Sequence, residues 1–84
     1  MFDNESIVYV EKENNRRYKC VVTSIYLLKK LLINEEVKIM YFETFKSSRG
    51  AKSRLKKMQS LSRLKLVELI KNSNPEMLNL INCI

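Results

Sequence analysis

The stretch VKIMYFETFKSSRGAKSRLKKMQSLSRLKLVELI, residues 37–70, contains a predicted strand followed by two predicted helices. Residues 37–45 are apolar on both faces of a period-two pattern, so this strand is predicted to be central in its sheet. One predicted face carries Val37, Ile39, Tyr41, Glu43 and Phe45, and the other carries Lys38, Met40, Phe42 and Thr44.

The spacing of apolar residues after this strand predicts two helices. Ala51, Leu55 and Met58 follow each other at the spacing of one helical face, and Ser47 or Ser48 can cap this helix. A second helix of the stretch is predicted to open at Ser62, with three residues available for burial: Leu66, Leu69 and Ile70.

The residues before and after this stretch supply the remaining elements. Residues 6–22 are rich in β-branched and aromatic side chains around Asn14-Asn15, which predicts a β-hairpin. Thr23 or Ser24 can cap a following helix that ends near Asn34 and has an apolar stripe of Ile25, Leu28, Leu31 and Leu32. The sequence Asn74-Pro75-Glu76 predicts the start of a short C-terminal helix.

The predicted order is strand, strand, helix, strand, helix, helix and short helix. This order is typical of an α+β domain with a small, three-stranded antiparallel sheet flanked by helices. Because a chain of 84 residues is too short for two hydrophobic cores, residues 1–84 are expected to form one domain.

The composition indicates a folded protein with an anionic partner. Hydrophobic residues make up 45% of the chain, with a single glycine and a single proline, which argues against disorder. Sixteen Lys and Arg residues against nine Asp and Glu residues give a net charge of +7, which favours nucleic acid, anionic membranes or acidic protein surfaces. A solvated surface is the alternative explanation of the same charge.

Several kinds of site and segment are not expected. The chain has no histidine and only two distant cysteines, Cys20 and Cys83, so the usual zinc sites are absent and no metal or other cofactor is predicted. The N-terminus lacks the pattern of a secretory signal, and no apolar run is long enough to span a membrane. The cytosol is therefore the expected compartment, with both thiols reduced; for a viral or phage protein it would be the host cytosol.

Several segments resemble the small stand-alone GIY-YIG nucleases. Residues 41–70 resemble the aromatic strand of that family, its A-x-x-x-E-x-x-x-K helix and its L-S-R-x-K-K-x-x-L-I helix, and NPEMLNL resembles its closing N-P-x-W-x-x-L. Val8-Tyr9-Val10 and Tyr18-Lys19-Cys20 occupy the places of the GIY and YIG strands. The resemblance covers residues 6–80 and is more specific in the C-terminal half.

The resemblance also implies which positions would be catalytic. The family holds one divalent metal with a helix glutamate, and it uses a sheet tyrosine and a helix arginine in phosphodiester cleavage. Here the glutamate position holds Leu55, the arginine position holds Leu28 and a nearby histidine position holds Leu32, so only Tyr9 and Tyr18 remain. The expectation is a degenerate, non-catalytic domain in which these leucines and tyrosines are core residues.

The remaining functional signal is a run of basic residues from Lys46 to Lys65 without an acidic residue. The leading hypothesis is non-specific nucleic-acid binding to DNA or RNA, because Lys and Arg at these spacings contact phosphates rather than bases. The predicted binding residues are Arg16, Arg17, Lys19, Arg49, Lys52, Lys56, Arg63 and Lys65.

Two alternatives remain open. The first is an inhibitor or adaptor, or a homodimer, that binds an acidic protein surface; the apolar residues Tyr26, Leu27 and Leu32 on the first helix favour it. The second is an active metal-dependent endonuclease with a rebuilt site, for which Glu43 and Glu68 are candidate ligands.

Overall fold

A computed structural model describes residues 5–13, 17–31 and 37–84. The elements are β1 (Ser6–Lys12), β2 (Tyr18–Ser24), α1 (Ile25–Leu31), β3 (Ile39–Phe45), α2 (Ser48–Gln59), α3 (Arg63–Ser73) and a 3₁₀ helix (Leu80–Cys83). The three strands form one antiparallel sheet in the order β2-β1-β3. This architecture confirms the predicted α+β class and the predicted order of the first six elements.

Strands β1 and β2 form the predicted hairpin. They pair in a continuous register from Ser6 opposite Ser24 to Lys12 opposite Tyr18. Beyond the last pair, the Glu13 amide donates a hydrogen bond to the Arg17 carbonyl over 2.8 Å. The predicted turn at Asn14-Asn15 lies outside the described residues.

The central strand of the sheet is β1, and the prediction that the third strand is central was wrong. Strand β3 lies at one edge and starts at Ile39 rather than at Val37. The physical reason is burial: all residues from Ser6 to Val10 are buried, whereas β3 is mostly half-buried. The apolar residues on both faces of β3 therefore do not make it the central strand of this sheet.

A β-bulge at Met40 also changes the predicted faces of β3. Val10 pairs with Tyr41 and Glu11 pairs with Ile39, so Met40 is an extra residue in the ladder. Ile39 consequently packs on one face of the sheet, while Met40 and Tyr41 both pack on the other. The prediction that Ile39 and Tyr41 share a face was wrong because strict alternation does not hold across a bulge.

The sheet separates two hydrophobic cores. On one face, α2 and α3 cover Val8 and Val10 to form the core that we call the α2–α3 core; its other buried members are Met40, Ala51, Met58, Leu66 and Ile70. On the other face, α1 covers Ile7 and Tyr9 to form the α1 core, whose other buried members are Leu28, Val37 and Ile39. Alternate residues of β1 therefore supply both cores.

Serine residues cap the helices where the sequence predicted caps. Ser24 Oγ accepts a hydrogen bond from the Leu27 amide in α1, and Ser47 Oγ accepts one from the Gly50 amide in α2. Ser62 Oγ does the same for the Lys65 amide in α3. Each bond satisfies one of the amides that have no partner within the first turn of a helix. The predicted end of the first helix near Asn34 lies outside the part of the chain that the structure describes.

The sequence Asn74-Pro75-Glu76 does not start a helix, which corrects the prediction. Asn74 is the C-cap of α3 and is only 4% exposed. Its Nδ2 donates to the carbonyls of Met40 (3.0 Å) and Leu78 (2.8 Å), and its Oδ1 accepts from the Leu78 amide. These bonds hold the chain in a turn, with Met77 at a φ of 54°, and only the 3₁₀ helix follows.

A second asparagine fastens this C-terminal segment to the sheet. Asn79 Oδ1 accepts a hydrogen bond from the Ile39 amide, and Asn79 Nδ2 donates to the Val37 carbonyl. Leu80 and Ile84 then pack against the α1 core. The C-terminal residues thereby cover the start of β3.

Replacement of Asn74 by alanine is expected to lower the free energy of unfolding by about 1–3 kcal/mol, because the buried Met40 carbonyl and both Leu78 backbone groups lose their partner. Urea unfolding followed by circular dichroism measures this change. Asn72→Ala is the matched control, since Asn72 is exposed on α3. Equal stability of the two variants would contradict the structural role of Asn74.

Candidate functional site

The turn between α2 and α3 brings the start of α3 close to the beginning of β2. Helix α2 ends at Gln59, and the Leu61 amide donates to the Met58 carbonyl before Ser62 caps α3. This short connection reverses the chain so that Arg63 reaches the hairpin. The two segments, far apart in sequence, form the walls of one open groove.

This hairpin groove has a volume of about 480 Å³ and combines an apolar floor with a polar rim. Its polar lining residues are Arg17, Lys19, Gln59 and Arg63. Its apolar, aromatic and thiol-bearing lining residues are Tyr18, Cys20, Met58, Leu61 and Leu66. Three of the eight predicted binding residues, Arg17, Lys19 and Arg63, therefore meet at one site.

Three further predicted binding residues lie together on α2. Arg49, Lys52 and Lys56, which we call the basic row, line a shallow depression of about 260 Å³ together with Ser53. All three are exposed because the opposite side of α2 buries Ala51 and Met58 in the α2–α3 core. Their spacing along the helix places these three cations on one flank of α2.

Of the other two predicted binding residues, only Lys65 is described by the structure, and it lines neither depression. Lys65 is exposed in the first turn of α3, and Arg16 lies outside the described residues. The sequence pattern found the basic row because helical spacing is local. It did not find the hairpin groove, since that groove requires the contact of β2 with the α2–α3 turn.

A charged cluster that the sequence analysis missed fixes α2 against β3. Glu43 Oε2 accepts a hydrogen bond from the Tyr41 hydroxyl (2.6 Å) and pairs with Arg54 Nε (3.0 Å). Burial of Tyr41, followed by its bond to Glu43, raises the pKa of the phenol above its ordinary value. The same carboxylate raises the pKa of the Arg54 guanidinium. The cluster was missed because the pairing of Arg54 with Glu43 depends on how α2 packs against the sheet, which local spacing does not show.

The two candidate metal ligands of the rebuilt-site alternative have different surroundings. Glu43 belongs to the charged cluster with Tyr41 and Arg54, whereas Glu68 is exposed on α3. Within residues 5–13, 17–31 and 37–84, no group of three or more histidine, cysteine, aspartate or glutamate side chains could hold a metal ion.

The positions that the resemblance assigns to catalysis lie on opposite faces of the sheet. Leu28 and Tyr9 are buried in the α1 core, at 1% and 5% exposure. Leu55 and Tyr18 are partly buried against the α2–α3 core. Leu32 lies outside the described residues. Tyr9 and Leu28 therefore belong to the α1 core, as expected of core residues, whereas Tyr18 and Leu55 pack at the margin of the α2–α3 core, so the four side chains do not converge on one site.

The two cysteines differ in their surroundings. Cys20 is half-buried in the wall of the hairpin groove, and burial raises the pKa of its thiol. Cys83 is exposed on the 3₁₀ helix, next to residues that pack against the α1 core. Neither thiol forms a disulfide.

Helix α1 exposes two large apolar side chains. Tyr26 is 45% exposed and Leu27 is 52% exposed, and the Lys30 ammonium lies 4.5 Å from the centre of the Tyr26 ring. This pair is on the side of the molecule that bears the α1 core, away from the basic row. The alternative of a protein-binding surface or a homodimer on this helix stays a prediction.

No protein-family model, curated protein or solved structure matches this chain. Among the residues that the structure describes, no helix has the length and apolar content needed to cross a membrane. The relationship to the GIY-YIG nucleases stays a prediction.

Replacement of Glu43 by glutamine is expected to lower the free energy of unfolding by about 1 kcal/mol. The reason is that a neutral amide oxygen accepts the bonds from Arg54 and Tyr41 more weakly than a carboxylate does. Urea unfolding measures the difference, with the exposed Glu68→Gln as the matched control. A loss of the same size in both variants would show that the cluster has no special role in holding α2.

Proposed function

We propose that this chain binds nucleic acid without sequence preference through a surface made of the basic row and the hairpin groove. The observation that supports this proposal most directly is that six of the predicted cations line two depressions that share helix α2: Arg17, Lys19 and Arg63 line the hairpin groove, and Arg49, Lys52 and Lys56 form the basic row. They come from β2, α2, α3 and the hairpin connection, so the charge is a property of the folded surface.

The two parts of this surface are adjacent along α2. Lys56 is the last cation of the basic row, and Gln59 lines the hairpin groove three residues later. Residues three apart on a helix are neighbours on its surface. From Arg49 to Gln59 the helix rises by about 15 Å, which gives a polyanion several points of contact.

The internal ion pair distinguishes Arg54 from the three cations of the basic row. Glu43 neutralises Arg54 on the flank of α2 that faces β3, while the basic row lies on the exposed flank. The chain has no acidic residue between Lys46 and Lys65 to weaken the field of that row. Positive charge concentrated on one face attracts phosphate backbones and speeds their association.

Lysine and arginine contacts to phosphates position a nucleic acid but do not read its sequence. Each phosphate that is neutralised releases counterions, so binding by this surface falls as salt increases. An acidic protein surface could bind the same cations, but its affinity would not show this regular relation between salt dependence and the number of phosphate contacts. The salt dependence of binding is therefore the most informative measurement.

The double variant Lys52→Ala/Lys56→Ala is expected to bind DNA and RNA more weakly and to reduce the slope of log affinity against log salt by about 1 to 2. Fluorescence anisotropy titrations at several salt concentrations measure both quantities. The matched control, Lys29→Ala/Lys30→Ala, removes the same charge from α1 on the other side of the sheet. An equal loss in both double variants would show that net charge, and not this surface, causes the binding.

We further propose that the chain does not cleave the nucleic acid that it binds. The positions that the resemblance assigns to the metal-binding glutamate and the catalytic arginine hold Leu55 and Leu28, and the Glu43 carboxylate is engaged by Arg54 and Tyr41. An aliphatic side chain cannot bind a divalent cation or offset the charge of a phosphate.

Supercoiled plasmid incubated with the protein and Mg²⁺ or Mn²⁺ is expected to remain intact on an agarose gel. Metal-dependent nicking that disappears in Glu43→Gln or Glu68→Gln would overturn the non-catalytic proposal and support a rebuilt nuclease site. Nicking that persists in both variants would identify a contaminating nuclease.

A further inference from the structure

We propose that the hairpin groove receives an unpaired nucleobase and that the preferred partner is therefore single-stranded nucleic acid. This inference rests on the proposed nucleic-acid binding and goes further by naming the form of the nucleic acid. The observation that supports it is the set of side chains that line the groove, which differs from the set that forms the basic row beside it.

The basic row alone would track any phosphate backbone. Its depression is lined by three cations and a serine, with no apolar side chain among them. The hairpin groove instead has an apolar floor, on which Met58 and Leu66 are nearly inaccessible and Leu61 is half-buried. A floor of this kind offers nothing to a phosphate, but it can cover the faces of an aromatic ring.

The Tyr18 ring supplies the aromatic surface that such a site requires. It lines the groove, is half-buried, and packs against the α2–α3 core, so its position is fixed by the folded structure. Stacking of a base on an aromatic side chain is tolerant of sequence because every base has a π-face. The groove can thus bind a base while remaining consistent with non-specific recognition.

The volume of the groove agrees with this occupant. At about 480 Å³ it lies within the range of sites that take small organic molecules, which is roughly 300 to 1,000 Å³. The cations Arg17, Lys19 and Arg63 surround the opening. A nucleotide can place its base over the floor and its phosphate against this rim.

The adjacent basic row extends the path of the strand. Gln59 lines the groove on the same helix that carries Arg49, Lys52 and Lys56. A single strand with one base in the groove can therefore continue along α2 with its phosphates on the row. A duplex can use the row but not the groove, since its bases are stacked and flipping one out costs a few kcal/mol.

The central test compares one sequence of about 16 nucleotides, near the upper end of known single-strand site sizes, as a single strand and as a duplex. Anisotropy titrations at fixed salt are made with DNA and RNA forms of both. We expect either single strand to bind more tightly than its duplex. Tyr18→Ala should weaken single-strand binding by about tenfold and thereby remove most of the preference for the single strand over the duplex.

Two control variants separate ring stacking from general damage. Tyr18→Phe keeps the ring and should keep the single-strand preference. Tyr26→Ala removes an exposed tyrosine on α1, on the other side of the sheet, and should change neither affinity. Urea unfolding of Tyr18→Ala checks that the variant is folded at the temperature of the titration.

The unmodified protein provides an independent readout through its two thiols. Cys20 lines the groove, and Cys83 is exposed elsewhere and acts as an internal control. Saturation with the single strand should slow alkylation of Cys20 by iodoacetamide and leave the rate at Cys83 unchanged. Because burial raises the pKa of the Cys20 thiol, the reaction is followed at mildly alkaline pH by mass spectrometry.

The outcomes distinguish this inference from the function on which it rests. Equal affinity for single strand and duplex, with Cys20 unprotected, would overturn base insertion while preserving salt-sensitive nucleic-acid binding. Tighter binding to the duplex than to the single strand would also overturn base insertion and preserve salt-sensitive nucleic-acid binding. The absence of salt-sensitive binding to every probe would overturn both proposals.

Discussion

The burial of β1 on both of its faces is the constraint on which the rest of the structure depends. Its residues from Ser6 to Val10 are buried, and alternate side chains enter different cores. A strand of this kind requires a partner on each edge and a helical layer on each face. Strands β2 and β3 supply the edges, α1 covers one face, and α2 with α3 covers the other. In a chain of 84 residues, the two cores use most of the apolar side chains that are available for burial.

The helical layers on the two faces of the sheet expose different kinds of side chain. Helix α1 is short, carries the exposed pair Tyr26 and Leu27, and covers the smaller core. Helix α2 is held against β3 by Ala51 and Met58 and by the ion pair of Arg54 with Glu43. Because these contacts fix the rotation of α2 about its axis, the basic row must face solvent. The packing of the α2–α3 core therefore determines which side of α2 carries the positive charge of the basic row.

The sequence predicted those features that depend on neighbouring residues. The caps at Ser24 and Ser62, the apolar stripe of α2 and the hairpin all follow from local spacing, and the structure confirms them. It did not predict the edge position of β3 or the bulge at Met40, because both depend on pairing with a distant strand. Asn74 shows the same limit: its local setting favours a helix start, but hydrogen bonds to residues outside that setting, above all to Met40, hold it in a turn.

The hairpin groove belongs to this second class, because its lining residues come from segments that are far apart in sequence. A small domain gains stability by burying apolar surface, at about 25 cal/mol per Å². The side chains of Tyr18, Leu61 and Cys20 are left half-buried in this groove. The α2–α3 turn consists of Ser60, Leu61 and Ser62; the two serines serve as caps, and Leu61 lines the groove. Apolar surface left open beneath a rim of cations supplies the two features that the proposed nucleotide ligand requires, a surface for its ring and positive charge for its phosphate.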